Sequence, residues 1–444
     1  MHRLIAFLAC GAMAGSAWAQ DLTVKAPPQS RPVMITGATI HPVSGPSIER
    51  GYIVFDRGRI TAVGGGAPPP VGAQTTVIDA SGKHVYPGLI GAVTQLGLTE
   101  IQALRPPTDT REVGSVTPEA RAVVAVNPDS TLMPVTRSNG VLVVGVFPSG
   151  GLVAGQAAAV QLEGWTWEEM SIKGNIGTAV EYPLVRPVTE WWSTRPAEEQ
   201  MRDARRSIDR LVEVFRTAQA YASARAADPM QPADLRWEAL GSVLDGALPV
   251  FITANDVDQI TSAVAWALEM KLRPVIVGGR DAPLVTDLLK AHDVPVILRG
   301  THNMPRRDDS DYDEAFTRPA TLERAGVRWC LAFSDDTAHE RNLPYNAATA
   351  VAYGLPRDAA LRSITLSAAR ILGIDDAVGS LEAGKHATLI VTNGDPLEVT
   401  TKVEIAFVGG RRIDLSNKQT VLAEKYRERF RQTGDIPREA EAPR

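Results

Sequence analysis

Between residues 86 and 372 the chain repeats one pattern. A short, continuous apolar run is followed by a stretch with helical spacing. The runs are Val141–Phe147, Ala157–Leu162, Pro249–Thr253, Pro274–Gly278, Pro295–Leu298 and Val327–Phe333. Runs this short, with no polar alternation, are strands buried on both faces. The segment Asp256–Met270 carries Val257, Ile260, Val264, Ala267 and Leu268, the spacing of one helix face. Ala282–His292 and Arg357–Leu372 read the same way. Buried strands alternating with amphipathic helices demand a parallel sheet covered on both sides. The 287 residues from 86 to 372 are close to the roughly 250 of a (β/α)8 barrel.

The flanks have another texture. Residues 33–80 and 376–415 mix β-formers with Gly, Asp and Ser turns. Neither flank is long enough for a good core alone, so the two are expected to pack together. The organisation predicted is a composite β-sandwich from 20–85 and 373–415 around a barrel from 86–372. An insertion falls at about 163–235, rich in Trp (Trp165, Trp167, Trp191, Trp192) and followed by a long charged helix pattern. Residues 416–444 are read as a C-terminal helix and tail.

Residues 1–19 read as a secretory signal peptide: Arg3, an apolar core from Leu4 to Gly15, and Ala17-Trp18-Ala19 before the cut. This predicts a periplasmic or secreted protein. Cleavage removes Cys10 and leaves Cys330 as the single thiol, in an apolar run where a small buried residue is expected. The net charge of −5 argues against a nucleic-acid partner, which needs a basic field. No apolar run reaches the roughly 18 residues of a membrane span.

Three motifs carry a family resemblance. The junction His84–Leu98 (HVYPGLIGAVTQLGL) resembles the "PGLID-x-H-x-H" strand that opens the barrel of the amidohydrolase superfamily. Gly379-Ser380-Leu381-Glu382-Ala383-Gly384-Lys385-His386-Ala387-Thr388-Leu389 resembles that superfamily's return into the sandwich, and Ser363–Gly373 resembles its "x-T-x-N-P-A-x-x-L-G" helix. The resemblance spans about 33–415 and is nearest in texture to the imidazolonepropionase-like members. It implies a hydrolase of carbon–nitrogen bonds other than peptide bonds, with metals held at the C-terminal ends of the barrel strands.

The ligands that the resemblance implies are missing. Val93 and Gln95 stand at the H-x-H positions, Gly91 replaces the preceding Asp, Thr253 stands near the strand-5 His, and strand 6 has no His. Of seven histidines, only His302 and His339 fall on the active side of the barrel. A binuclear centre is therefore not expected and no cofactor is assigned, although one divalent ion held weakly by His302 and Asp335 with water stays open. The strand-8 acid is kept: Phe333-Ser334-Asp335 resembles the family's "G-T-D".

The candidate catalytic residues are Asp335, His302 and His339, with a His–Asp pair as base and orienting acid. Arg341, Thr253 and Gln95 are the candidates for substrate contact. Pro148–Gln156, glycine-rich after strand 2, is either an anion cradle or a tight loop. The acidic run Asp308–Glu314 reads as a solvated loop, since it lacks the glycine of a calcium loop. The expected partner is a small molecule, with a homo-oligomer or pairing with an active relative also open. Two functions remain: an amidohydrolase-type hydrolase, or a non-catalytic ligand-binding or scaffold protein on the same fold.

Overall fold

A computed structural model describes residues 20–21, 23–101, 108–189, 193–307, 310–333 and 336–434. The proposed signal peptide, Cys10, Trp191, Trp192 and Asp335 lie outside the described residues, as do Asp308 and Asp309 of the acidic run.

The flanks build one eight-stranded sheet. Its strands are β1 (Val33–Ile40), β2 (Ile48–Asp56), β3 (Arg59–Gly64), β4 (Thr76–Asp79) and β5 (His84–Pro87) from the N-terminal side. The C-terminal side adds β14 (Leu389–Thr392), β15 (Val403–Val408) and β16 (Arg411–Arg412). The order is β16-β15-β14-β5-β1-β2-β3. One edge of β1 is shared: Val33–Thr36 pairs with β4, and Thr39–Ile40 pairs with β5. The fork sits at Gly37, whose φ is +80°, and a Cβ there would stand 2.5 Å from Ser81 Oγ. Forking lets the sheet fold over its own core of Ile35, Ile53, Phe55, Leu389 and Phe407. Phe55 and Phe407 meet edge-to-face at 4.9 Å, joining the two ends of the chain.

The middle is the barrel: β6 (Leu89–Thr94), β7 (Val141–Val146), β8 (Val153–Gln161), β9 (Ser171–Glu181), β10 (Val250–Ala254), β11 (Pro274–Gly278), β12 (Val296–Arg299) and β13 (Trp329–Ala332), paired in that order. β13 comes round against β6. Ile90, Ala92, Val143, Phe251, Ile297 and Cys330 fill the interior, and burial pushes the Cys330 thiol pKa far up. Such a thiol stays protonated and inert.

Two features depart from the sequence reading. β8 runs antiparallel to both neighbours, so the sheet is not wholly parallel. Phe147–Leu152 is too short for a parallel crossover, which needs a dozen or more residues, and closes a hairpin instead. The glycine-rich Pro148–Gln156 is thus a hairpin loop that enters β8. Second, β9 lies within the segment read as an insertion. Lys173, Gly174 and Asn175 interrupt its apolar pattern, and only its second half, Ile176–Val180, is buried.

Outer helices pack by their apolar stripes. The helix Ala197–Ala227 buries Leu211, Val214, Phe215 and Ala218, an i, i+3, i+4, i+7 stripe. Phe215 meets Trp266 of the helix Val257–Glu269 edge-to-face at 5.1 Å. That second helix starts at Asp256, whose carboxylate accepts from the Gln259 N–H at 2.9 Å. Under the N-terminal segment lies a buried ion pair, Arg137 with Glu163, and Glu163 also accepts from the Ala26 N–H. Among the described residues no helix is long and apolar enough to cross a membrane.

Candidate active site at the barrel mouth

The C-terminal strand ends surround a cavity of about 210 Å³. Its apolar floor is Val93, Phe147, Phe251 and Val277, with Phe147 and Phe251 edge-to-face at 5.0 Å. The polar groups around it include Thr94, Gln95, Glu181, Thr253, Arg299 and Glu340. Ligand sites on this fold lie at this end of the barrel.

Glu340 belongs to the 3-10 turn Thr337–Asn342, which packs over β6. The residue is 2% exposed, and its Oε1 is buried with no hydrogen-bond partner among the described residues. Room for the carboxylate comes from Gly91 of β6, where a Cβ would stand 2.4 Å from that oxygen. Burial pushes its pKa up to about 7, against the Thr94 hydroxyl and the Arg299 charge, which favour the ionised form. A carboxyl that holds its proton near neutral pH can both give and take one.

Arg299 ends β12, where its side chain lines the cavity, is exposed at its edge and is otherwise packed against protein. That desolvation lowers its pKa, and the Glu340 charge acts the other way. Guanidinium is too basic for this to remove the charge. Glu181 ends β9, and its carboxylate accepts from the Gly150 N–H at 2.9 Å, which fastens the β7–β8 hairpin to the mouth.

The sequence candidates divide. Gln95 and Thr253 line the cavity. His302 lies outside the lining: its Nε2 meets Thr349 Oγ1 at 2.7 Å, and its Nδ1 lies 3.4 Å from Asn346 Nδ2. Desolvation lowers the His302 pKa. Arg341 turns to the surface, where it donates to Gln419 Oε1 at 2.6 Å. His339 is exposed and also outside the lining. Asp335, between β13 and the Glu340 turn, is outside the described residues.

Sequence reasoning missed Glu340, Arg299 and Glu181. Glu340 stands between His339 and Arg341, both of them sequence candidates, and nothing in the sequence sets it apart from them. Arg299 had a signal, since it ends the apolar run Pro295–Leu298 at the mouth, whereas Glu181 ends a strand whose apolar pattern is interrupted.

The donor set does not suit a binuclear metal centre. The positions at the ends of β6 and β10 present Val93, Gln95 and Thr253, and β11 offers Val277. Among the described residues no three His, Cys, Asp or Glu converge on one point.

Residues 281–414 match the model of the amidohydrolase family. A crystal structure of an amidohydrolase from Thermotoga maritima MSB8 superimposes with a TM-score of 0.76, at 23% identity over 86% of this chain and 99% of that one. The chain has the amidohydrolase superfamily fold. Molinate hydrolase superimposes less closely, with a TM-score of 0.55 at 14% identity over 95% of this chain and all of that one. In sequence, the chain is 25% identical over 418 residues to amidohydrolase tasK of Hapsidospora irregularis, covering 83% of this chain and 42% of that protein. It is 33% identical over 121 residues to an adenine deaminase of Sinorhizobium fredii, covering 26% of this chain and 21% of that protein. The chain thus spans less than half the length of the curated relatives it matches.

Proposed function

We propose that the chain hydrolyses a carbon–nitrogen bond, other than a peptide bond, in a small molecule bound at the barrel mouth, with Glu340 as the acid–base group. The observation that carries this is the buried carboxylate of Glu340 with an unpaired oxygen beside the cavity. Thr94 and Arg299 repay only part of its desolvation, and its Oε1 is left without a partner among the described residues.

Ionised Glu340 takes a proton from the water that attacks the amide carbon. The carbon–oxygen bond forms, the carbonyl oxygen gains negative charge, and Arg299 faces that charge. Glu340 then gives the proton to the nitrogen as the carbon–nitrogen bond breaks. Gln95 and Thr253 orient the amide, and Asp335 is the second acid expected at this mouth. The resemblance of the first 19 residues to a signal peptide supports action outside the cytoplasm.

The test is hydrolysis of a panel of linear amides, lactams and cyclic ureides by the full mature chain. Activity should rise with pH through about 7 and fall at least 100-fold in Glu340→Gln. A second reading, a non-catalytic ligand binder, is favoured by the neutral residues at the strand ends. Ligand binding with no turnover of any panel member would establish it and overturn the first.

A further inference from the structure

A second cavity, of about 260 Å³, adjoins the mouth on the β11–β12 side, and Arg299 lines both. Its polar wall is Arg280, Arg299, Arg306 and Arg318 with Asn255 and Asn303, and no carboxylate among the described residues lines it. Among the described residues, the carboxylates paired with these arginines are Asp281 and Glu314, and Arg307 draws on both. Neither Arg306 nor Arg299 has an ion pair among the described residues, although the Glu340 charge acts on Arg299. Arg318 is 4% exposed; it donates to Glu314 Oε1 at 2.9 Å, while its Nε is buried with no hydrogen-bond partner among the described residues.

This concentration of positive charge stands in a chain of net charge −5. Burying a guanidinium with an unused donor is costly unless something completes it. The complement of several converging guanidinium forks is a planar or tetrahedral oxyanion, bound through two oxygens at once.

We propose that this cleft is a subsite for an anionic group, and that the substrate carries a carboxylate or phosphate on the side away from the bond that is cut. The inference rests on reading the mouth as the reaction site. The anion sits among Arg280, Arg306 and Arg318, and Arg299 marks the border between binding and chemistry. A neutral analogue of the same size leaves the arginines unpaired and is rejected.

The test is calorimetric titration of the full mature chain with inorganic phosphate and, separately, with succinate. At least one should bind saturably. Arg306→Gln and Arg280→Gln should each weaken it at least tenfold; these side chains are less buried than Arg318, so the variants should fold. Glu340→Gln should retain binding. Arg370→Gln, in the cavity at the opposite end of the barrel, should leave the affinity unchanged. Tighter phosphate binding points to a phosphate ester, tighter succinate binding to an organic acid. No saturable binding of either anion overturns the proposal, as does binding lost in Arg370→Gln but kept in Arg306→Gln. Binding is read without turnover, so failed hydrolysis leaves the subsite standing, and amide hydrolysis without anion binding sinks the subsite alone.

Discussion

Glu340→Gln should make the protein more stable at alkaline pH while abolishing its activity. The carboxyl pKa in the fold is about 7, against 4.5 for an unperturbed glutamate. The folded state therefore binds the extra proton between those values. The stability that this proton brings is fully present below pH 4.5 and is lost as pH rises through 7. At about 1.4 kcal/mol per pKa unit, most of a shift of this size titrates between pH 5 and 8, a loss of ~2–3 kcal/mol. Glutamine carries no titrating proton at that position and removes this slope. Urea unfolding of both proteins at pH 5, 6, 7 and 8 gives the difference curve. It should climb by ~2–3 kcal/mol in favour of the variant, most of it between pH 5 and 7, and level off above pH 7. A flat difference curve would refute the reasoning, because Glu340 would then titrate alike in the folded and unfolded chain. The same variant assayed for turnover ties stability to function: a site that stores a buried charge gives up stability to do so.

Other expectations follow from single contacts. Replacing Arg137 by Met strands Glu163, 3% exposed, without its cation, and should cost ~3–5 kcal/mol in urea unfolding. Gly91→Ala puts a methyl 2.4 Å from Glu340 Oε1 and 3.2 Å from Val144 Cγ1; a loss of ~1–3 kcal/mol is expected, with the pH–stability slope altered as the carboxylate is displaced. Asp256→Ala removes the cap of the helix Val257–Glu269 and should cost ~1 kcal/mol, read by thermal melting, with no change in the pH slope.

The alternation of apolar runs with helical stripes was enough to read a barrel, because a strand buried on both faces leaves an unmistakable pattern. β9 escaped because half of it is only partly buried, so Lys173 and Asn175 sit where an apolar run was sought. The reversal of β8 escaped because periodicity carries no direction; only the shortness of Phe147–Leu152 did. At the site, the family resemblance pointed to Gln95 and Thr253, at positions where it places metal ligands. It did not reach Glu340, because a carboxylate over a glycine of a distant strand depends on Gly91 and Glu340 together, and neither residue is telling alone.

The composite sheet imposes an order of events on synthesis. β5 has β14 as one neighbour, and Phe55 packs on Phe407, so the N-terminal strands wait for residues more than 300 positions later. Pairing over such distances is slow, because the loop must close before the contact repays it. Until β14 and β15 emerge, the N-terminal strands hold an open edge able to pair with another chain. A nascent chain stalled before residue 389 is thus the form most prone to aggregate, and one in transit across a membrane would depend on holding that edge apart until the last strands arrive.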